Sequence, residues 1–133
     1  MIKTIWLVED DKVQQFIIAK LVKQFELAED LHIYNNGEDA LKAFCKHANT
    51  ETPLPEVILL DINMPVMDGW DFLDNALTQN LNSLEMPIIY MFTSSVNTKD
   101  IARAKEYEIV KGYITKPCSG EALKEIFDKI ELR

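Results

Sequence analysis

The amino-acid sequence predicts a doubly wound α/β domain, and three observations carry that prediction. Short, continuous apolar runs alternate with amphipathic segments about five times along the chain. The runs are apolar without alternation, as strands buried on both faces of a parallel sheet require. The length, 133 residues, suits one ordinary domain.

The first apolar run is Ile5-Trp6-Leu7-Val8, and Val13, Phe16, Ile17, Leu21 and Phe25 follow it on one helical face. A weaker run, Leu31-His32-Ile33-Tyr34, ends in the turn-like Asn35-Asn36-Gly37, after which Ala40, Leu41 and Phe44 mark a second helix. The segment 49–56, with Pro53 and Pro55, reads as a loop before the third run, Val57-Ile58-Leu59-Leu60. Trp70, Leu73 and Leu77 form the third helical stripe. Ile88 to Phe92 is the fourth run, and Ile101 and Ala104 mark a weaker fourth helix. Gly112-Tyr113-Ile114 is the fifth run; Leu123, Ile126, Phe127 and Ile130 form the last helix, with Ser119 placed to cap it. Each strand–helix–strand crossover is expected to be right-handed. The whole of 1–133 is expected to be a single domain, with no output domain after the last helix.

Composition narrows the function. The chain is 47% hydrophobic and 27% charged, with a formal net charge of −8 and a pI near 4.7. An acidic surface without a dense Lys/Arg cluster argues against a nucleic-acid binder, which needs a basic face for phosphates. No apolar run reaches membrane-spanning length. Cys45 and Cys118 form no C-x-x-C pair, and the N-terminus does not read as a signal peptide. A reduced, cytoplasmic protein is the expectation. Dinucleotide and P-loop glycine motifs are absent, as is a G-x-S-x-G elbow. His32 and His47 read as structural or exposed.

In open parallel sheets ligands bind outside the carboxyl ends of the strands, so the residues just after each run are the informative ones. Glu9-Asp10-Asp11 follow the first, Asp61 the third, Thr93-Ser94-Ser95 the fourth and Thr115-Lys116-Pro117 the fifth. Clustered carboxylates repel one another unless a cation relieves them. Magnesium takes oxygen ligands and keeps open positions for a phosphoryl oxygen. A carboxylate is a competent nucleophile toward phosphorus, and a lysine and a hydroxyl neutralise the oxygens in flight. Each segment has a plainer reading as well. Asp11 suits a helix N-cap with Gln14 in capping-box position, Asp61 a turn residue, and Thr93-Ser94-Ser95 a cap for the next helix.

These residues together resemble bacterial receiver domains of two-component response regulators, the stand-alone, chemotaxis-regulator-like kind. Leu7-Val8-Glu9-Asp10-Asp11 is similar to the family's acidic stretch, and Asp61-Ile62-Asn63-Met64-Pro65-Val66-Met67-Asp68-Gly69 to its phosphoacceptor loop. Phe92-Thr93-Ser94 is similar to its hydroxyl position, and Gly112 to Pro117 to its lysine–proline segment. The resemblance spans essentially the whole chain. It implies a flavodoxin-like (βα)5 fold with a five-stranded parallel sheet of order 2-1-3-4-5. It implies that Asp61 is the phosphoacceptor, with Mg2+ held by Asp10 and Asp61 directly, by Glu9 through water and by the Asn63 carbonyl; Asp11 is the bystander. Thr93 moves toward the phosphoryl group, Lys116 pairs with one of its oxygens, and Tyr113 is the aromatic whose rotamer accompanies the movement. Asn63 and Ser95 fall at positions that tune dephosphorylation in the family, and the Lys116–Pro117 bond is expected to be cis.

The implied function is a phosphorelay switch rather than an enzyme, receiving the phosphoryl group from a histidine kinase or histidine phosphotransfer protein. The downstream partner is a protein read on the face made by the fourth helix, fifth strand and fifth helix, where Arg103, Tyr107, Lys111 and Tyr113 are candidates. No nucleic acid or membrane is expected as a partner. A haloacid-dehalogenase-like phosphatase is disfavoured because Asn63 stands where its second Asp belongs. A phosphate-independent binding module on the same fold is the alternative.

Overall fold

The computed structural model describes residues 2–48, 54–79 and 86–131. Five strands and five helices alternate: β1 (Ile2–Val8), α1 (Lys12–Gln24), β2 (Ala28–Tyr34), α2 (Gly37–Ala48), β3 (Val57–Leu60), α3 (Gly69–Gln79), β4 (Ile88–Thr93), α4 (Thr98–Lys105), β5 (Val110–Thr115) and α5 (Gly120–Glu131). All strand pairs are parallel and the sheet order is β2-β1-β3-β4-β5, as expected. Residues 49–53 of the expected loop before β3 lie outside the described residues, as does the chain end at Arg133.

The pleat sends alternate strand residues to opposite faces, and each face carries its own core. Trp6, Val8, Ile58, Leu60 and Met91 pack under Phe44 of α2, Trp70, Phe72 and Leu73 of α3, and Ala104 of α4. Ile5, Leu7, Val57, Leu59 and Phe92 pack on the other face against Ile18 and Val22 of α1 and Leu123, Phe127 and Ile130 of α5. Phe44 and Phe72 meet edge to face with centroids 6.2 Å apart, clasping α2 to α3.

Continuous burial holds for β3 and most of β1, the central strands. It does not hold for β2, which alternates between intermediate and exposed, because β2 is an edge strand with a neighbour on one side only. His32 is exposed on that edge, whereas the His47 ring meets Trp6 at 5.4 Å.

Helix α1 departs from the sequence expectation. Val13, Phe16 and Ile17, expected on the packing face, are 64%, 69% and 40% exposed; Gln15, Ile18 and Val22 are buried instead. The apolar residues of the helix spread over more than one face, so its stripe is ambiguous, and a polar group fixes its rotation. The Gln15 amide donates to the Glu9 carbonyl at 2.6 Å and to Asn35 Oδ1 at 2.8 Å. Asp11 does cap the helix, accepting from the Val13 N–H at 2.8 Å and the Gln14 N–H at 3.5 Å. The capping box does not close through Gln14, since the Asp11 N–H donates to Glu9 Oε2 at 3.2 Å. Ser119 caps α5 as expected, its hydroxyl accepting from the Ala122 N–H at 3.1 Å. No helix among the described residues is long and apolar enough to cross a membrane.

Candidate functional site

Parallel pairing brings the carboxyl ends of β1, β3, β4 and β5 to one rim. Backbone bonds carry the ladder past the strand ends: Asp61 N to Val8 O at 3.0 Å, Glu9 N to Tyr34 O at 2.9 Å, and Lys116 N to Thr93 O at 2.9 Å. Glu9, Asp61, Thr93 and Lys116 are therefore fixed by the sheet rather than by loops.

Glu9, Asp10 and Asp61 each offer a carboxylate oxygen, and the three oxygens lie within 4.8 Å of one another. Glu9 is fully buried and Asp61 nearly so, whereas Asp10 faces solvent. The Lys116 ammonium donates to Glu9 Oε1 and lies 3.5 Å from Asp61 Oδ2, with its side chain 8% exposed. Burial pushes the Glu9 carboxyl up to about 7; the Lys116 hydrogen bond opposes that rise, and the Asp61 charge adds to it. One ammonium thus faces three carboxylates. A hard cation with oxygen ligands would relieve the remaining repulsion, and the donor set fits magnesium, which accepts carboxylates and keeps several waters.

The loop after β3 holds Asp61 from behind. Ile62 and Met64 are buried anchors, and the Gly69 N–H donates to the Ile62 carbonyl at 2.9 Å. Asp68 is the cap of α3, accepting from the Asp71 N–H at 2.8 Å. Between them the Met67 N–H reaches the Pro65 carbonyl at 2.9 Å, a three-residue turn that puts Val66 at φ 72°. Asn63 is exposed on this loop.

A second group of contacts forms beyond β4. Thr93 is fully buried, and its Oγ1 accepts from the Ser95 N–H at 3.3 Å. The Tyr113 hydroxyl donates to the Ser95 carbonyl at 3.0 Å, and burial raises its phenol above the ordinary value. Ser94 is exposed. The cap of α4 is Asn97 rather than any of Thr93-Ser94-Ser95. The Lys116–Pro117 peptide is cis, as expected.

Near α4, two of the candidate residues have partners on α3. Arg103 and Tyr107 turn toward α3: the Arg103 guanidinium lies 4.7 Å over the Trp70 ring, Tyr107 stacks on Trp70 at 5.6 Å, and its hydroxyl donates to Asp74 Oδ1 at 2.8 Å. Arg103 stays exposed and Tyr107 half-buried, so both keep a solvent-facing side. Lys111 and Tyr113 do line a cavity of about 190 Å3 between α4 and β5, with Ile101 and Ala104.

Three site residues escape a motif-based reading. Gln15 holds the acidic turn by the Glu9 carbonyl, Asn35 accepts from the same Gln15 amide, and Asp100 accepts from the Ser95 hydroxyl at 2.8 Å. Nothing in the local sequence marks Gln15 out from Gln14 beside it.

The response regulator receiver domain family model matches residues 5–128. Response regulator Rcp1 of Synechocystis sp. is 30% identical over 130 residues, covering 97% of this chain and 84% of that protein. Among solved structures, a two-component response regulator from Cytophaga hutchinsonii superposes with a TM-score of 0.86 at 24% identity, covering 99% of this chain and 98% of that one. The Mn(2+)-bound form of response regulator Rcp1 superposes with a TM-score of 0.73 at 31% identity, covering 97% and 91%.

Proposed function

The chain belongs to the response regulator receiver family, and from that premise we propose that Asp61 accepts a phosphoryl group from a phosphohistidine in a magnesium-dependent reaction. The observation that carries the proposal is the convergence of the Glu9, Asp10 and Asp61 carboxylates within 4.8 Å, with Lys116 on both buried members.

An Asp61 carboxylate oxygen attacks phosphorus; the new O–P bond forms as the donor's N–P bond breaks, and the electron pair leaves with the imidazole nitrogen. Lys116 lies 3.5 Å from the Asp61 carboxylate, close enough to meet the incoming phosphoryl oxygens. Glu9, Asp10, Asp61 and the Asn63 carbonyl are the residues to hold Mg2+. When bound, the ion neutralises phosphoryl oxygens and relieves the repulsion among the acids. The Mn(2+)-bound form of Rcp1 is consistent with a divalent cation here. Thr93 Oγ1 already uses a lone pair on Ser95 N–H, which leaves its proton for a phosphoryl oxygen. Its movement would alter the Ser95 carbonyl that holds Tyr113, and so the α4–β5 cavity beside it.

The donor is a histidine kinase or histidine phosphotransfer protein. Exposed Val13, Phe16 and Ile17 on α1, directly after the acidic turn, give such a protein an apolar surface beside Asp61. The output is a change in binding of a downstream protein at the α4–β5–α5 face, so the chain is a switch and not a turnover enzyme. Cys45 and Cys118, both half-buried and in no disulfide, suit a reduced cytoplasm.

Incubation with acetyl phosphate and magnesium tests this reading by intact mass. One phosphoryl group should add to the wild type, and none should add with chelator present or in Asp61→Asn. No addition to the wild type, with no binding of a beryllofluoride mimic either, would overturn it.

A further inference from the structure

Ser95 sits at the meeting point of three elements, and every polar group it owns is engaged. Its N–H donates to Thr93 Oγ1 at 3.3 Å, and its carbonyl accepts the Tyr113 hydroxyl at 3.0 Å. Its hydroxyl donates to Asp100 Oδ2 at 2.8 Å and accepts the Asn97 N–H at 3.3 Å. The backbone of one residue therefore positions both the buried threonine and the half-buried tyrosine. Its side chain is fastened to the first turn of α4.

The fastening is asymmetric. Thr93 is set by β4, which pairs with β3 and β5 on either side. Tyr113 is set by β5. Residues 94–97 belong to no strand or helix, so the Ser95 backbone is held by side-chain bonds. Of those, the Asp100 bond is charge-assisted and short, the stronger kind. The Asn97 bond is longer and neutral.

We propose that Asp100 is a positioning residue for phosphoryl transfer at Asp61: by holding the Ser95 hydroxyl, it fixes the Ser95 N–H that orients the Thr93 hydroxyl and the Ser95 carbonyl that orients Tyr113. The inference rests on the reading of Asp61 as the phosphoacceptor. It also commits the Ser95 hydroxyl to α4, which leaves that hydroxyl engaged away from the phosphoryl group. Without Asp100 the Ser95 backbone loses its strongest tether, and the Thr93 hydroxyl loses its fixed direction. Misplacement of a catalytic group by a fraction of an ångström to an ångström costs roughly ten- to a hundredfold in rate.

Asp100 also places a negative charge at the N-terminus of α4, where the helix dipole favours it. The test separates that effect from the hydrogen bond. Initial rates of magnesium-dependent phosphorylation by acetyl phosphate would be measured by intact mass for the wild type, Asp100→Ala, Asp100→Asn, Ser95→Ala and the Ser95→Ala/Asp100→Ala double variant. Urea unfolding would be followed alongside. Asp100→Ala should be slower by about tenfold, while Asp100→Asn, which keeps an acceptor oxygen and loses the charge, should stay within about twofold of wild type. The double variant should be no slower than Ser95→Ala alone, since Ser95→Ala already removes the Ser95–Asp100 bond together with the Asn97 bond. Should Asp100→Ala fail to fold, Ser95→Ala breaks the same bond from the other side and carries the test. A wild-type rate in the folded Asp100→Ala protein would overturn the proposal. So would an Asp100→Asn rate as low as that of Asp100→Ala, or losses that multiply in the double variant. A wild-type protein that takes up no phosphoryl group would instead overturn the reading of Asp61 itself.

Discussion

Gly69 offers the sharpest test of how the fold places Asp61, the proposed nucleophile. Its backbone lies in a region any residue adopts, so glycine is required for space alone. A Cβ there would overlap the Asp61 carbonyl oxygen and stand 3.1 Å from the Ile62 Cα and 3.2 Å from the Asp61 carbonyl carbon. Ordinary carbon contacts begin near ~3.5 Å, so Gly69→Ala requires a backbone shift on the order of 0.5 Å or more. All three neighbours are backbone atoms of Asp61 and Ile62, with no flexible side chain to yield. Such overpacking costs about 1–3 kcal/mol, offset by a few tenths to ~1 kcal/mol for removing glycine from a helix. A net loss of about 1–2 kcal/mol in urea unfolding is expected. The same shift moves Asp61 relative to Glu9 and Lys116, so the initial rate with acetyl phosphate should drop by roughly ten- to a hundredfold. Stability loss with an unchanged rate would refute the link between this contact and the nucleophile. Unchanged stability would refute the close approach itself.

Three further outcomes follow from the same geometry. Lys116→Met leaves buried Glu9 and Asp61 facing each other without an ammonium; stability should fall by about 1–3 kcal/mol in urea unfolding, the Glu9 carboxyl limiting the loss by taking up a proton, and added magnesium should restore part of it. Val66→Gly relieves a β-branched residue at φ 72°, so the strain of about 1–2 kcal/mol should outweigh the unfolded-state entropy of about 0.5–1 kcal/mol, and the urea midpoint should rise. Phe16→Ser should leave stability and acetyl phosphate reactivity unchanged, because the ring is 69% exposed, yet slow transfer from a phosphohistidine protein by about tenfold in kcat/KM.

The strand–helix alternation was legible because buried parallel strands leave continuous apolar runs, and Val57 to Leu60 is such a run, buried at every residue. The acids, the hydroxyl and the lysine were legible by position, since each follows a strand that the parallel sheet brings to one rim. What sequence could not supply was rotation and partnership. The eight apolar residues of 13–25 spread over more than one face of α1, and the Gln15 bonds to the Glu9 carbonyl and Asn35, 20 residues away, help decide which of them face water. Arg103 and Tyr107 read as surface residues, and their contacts with Trp70 and Asp74 on α3 are ones that no local pattern encodes. The Ser95–Asp100 bond is short in sequence, but a serine and an aspartate five residues apart signal nothing until the loop between them is folded.

The central claim is that the phosphoryl group resides on Asp61, and the most direct test is to locate it chemically. Protein treated with acetyl phosphate and magnesium would be reduced with borohydride, which converts an aspartyl phosphate to homoserine, then digested and sequenced by mass spectrometry. Homoserine at position 61, dependent on magnesium and absent without phosphodonor, is the expected result. Reduction at Asp10, Asp11 or Asp68 instead, or a yield at position 61 indifferent to magnesium, would contradict the assignment of the nucleophile and of the metal that serves it.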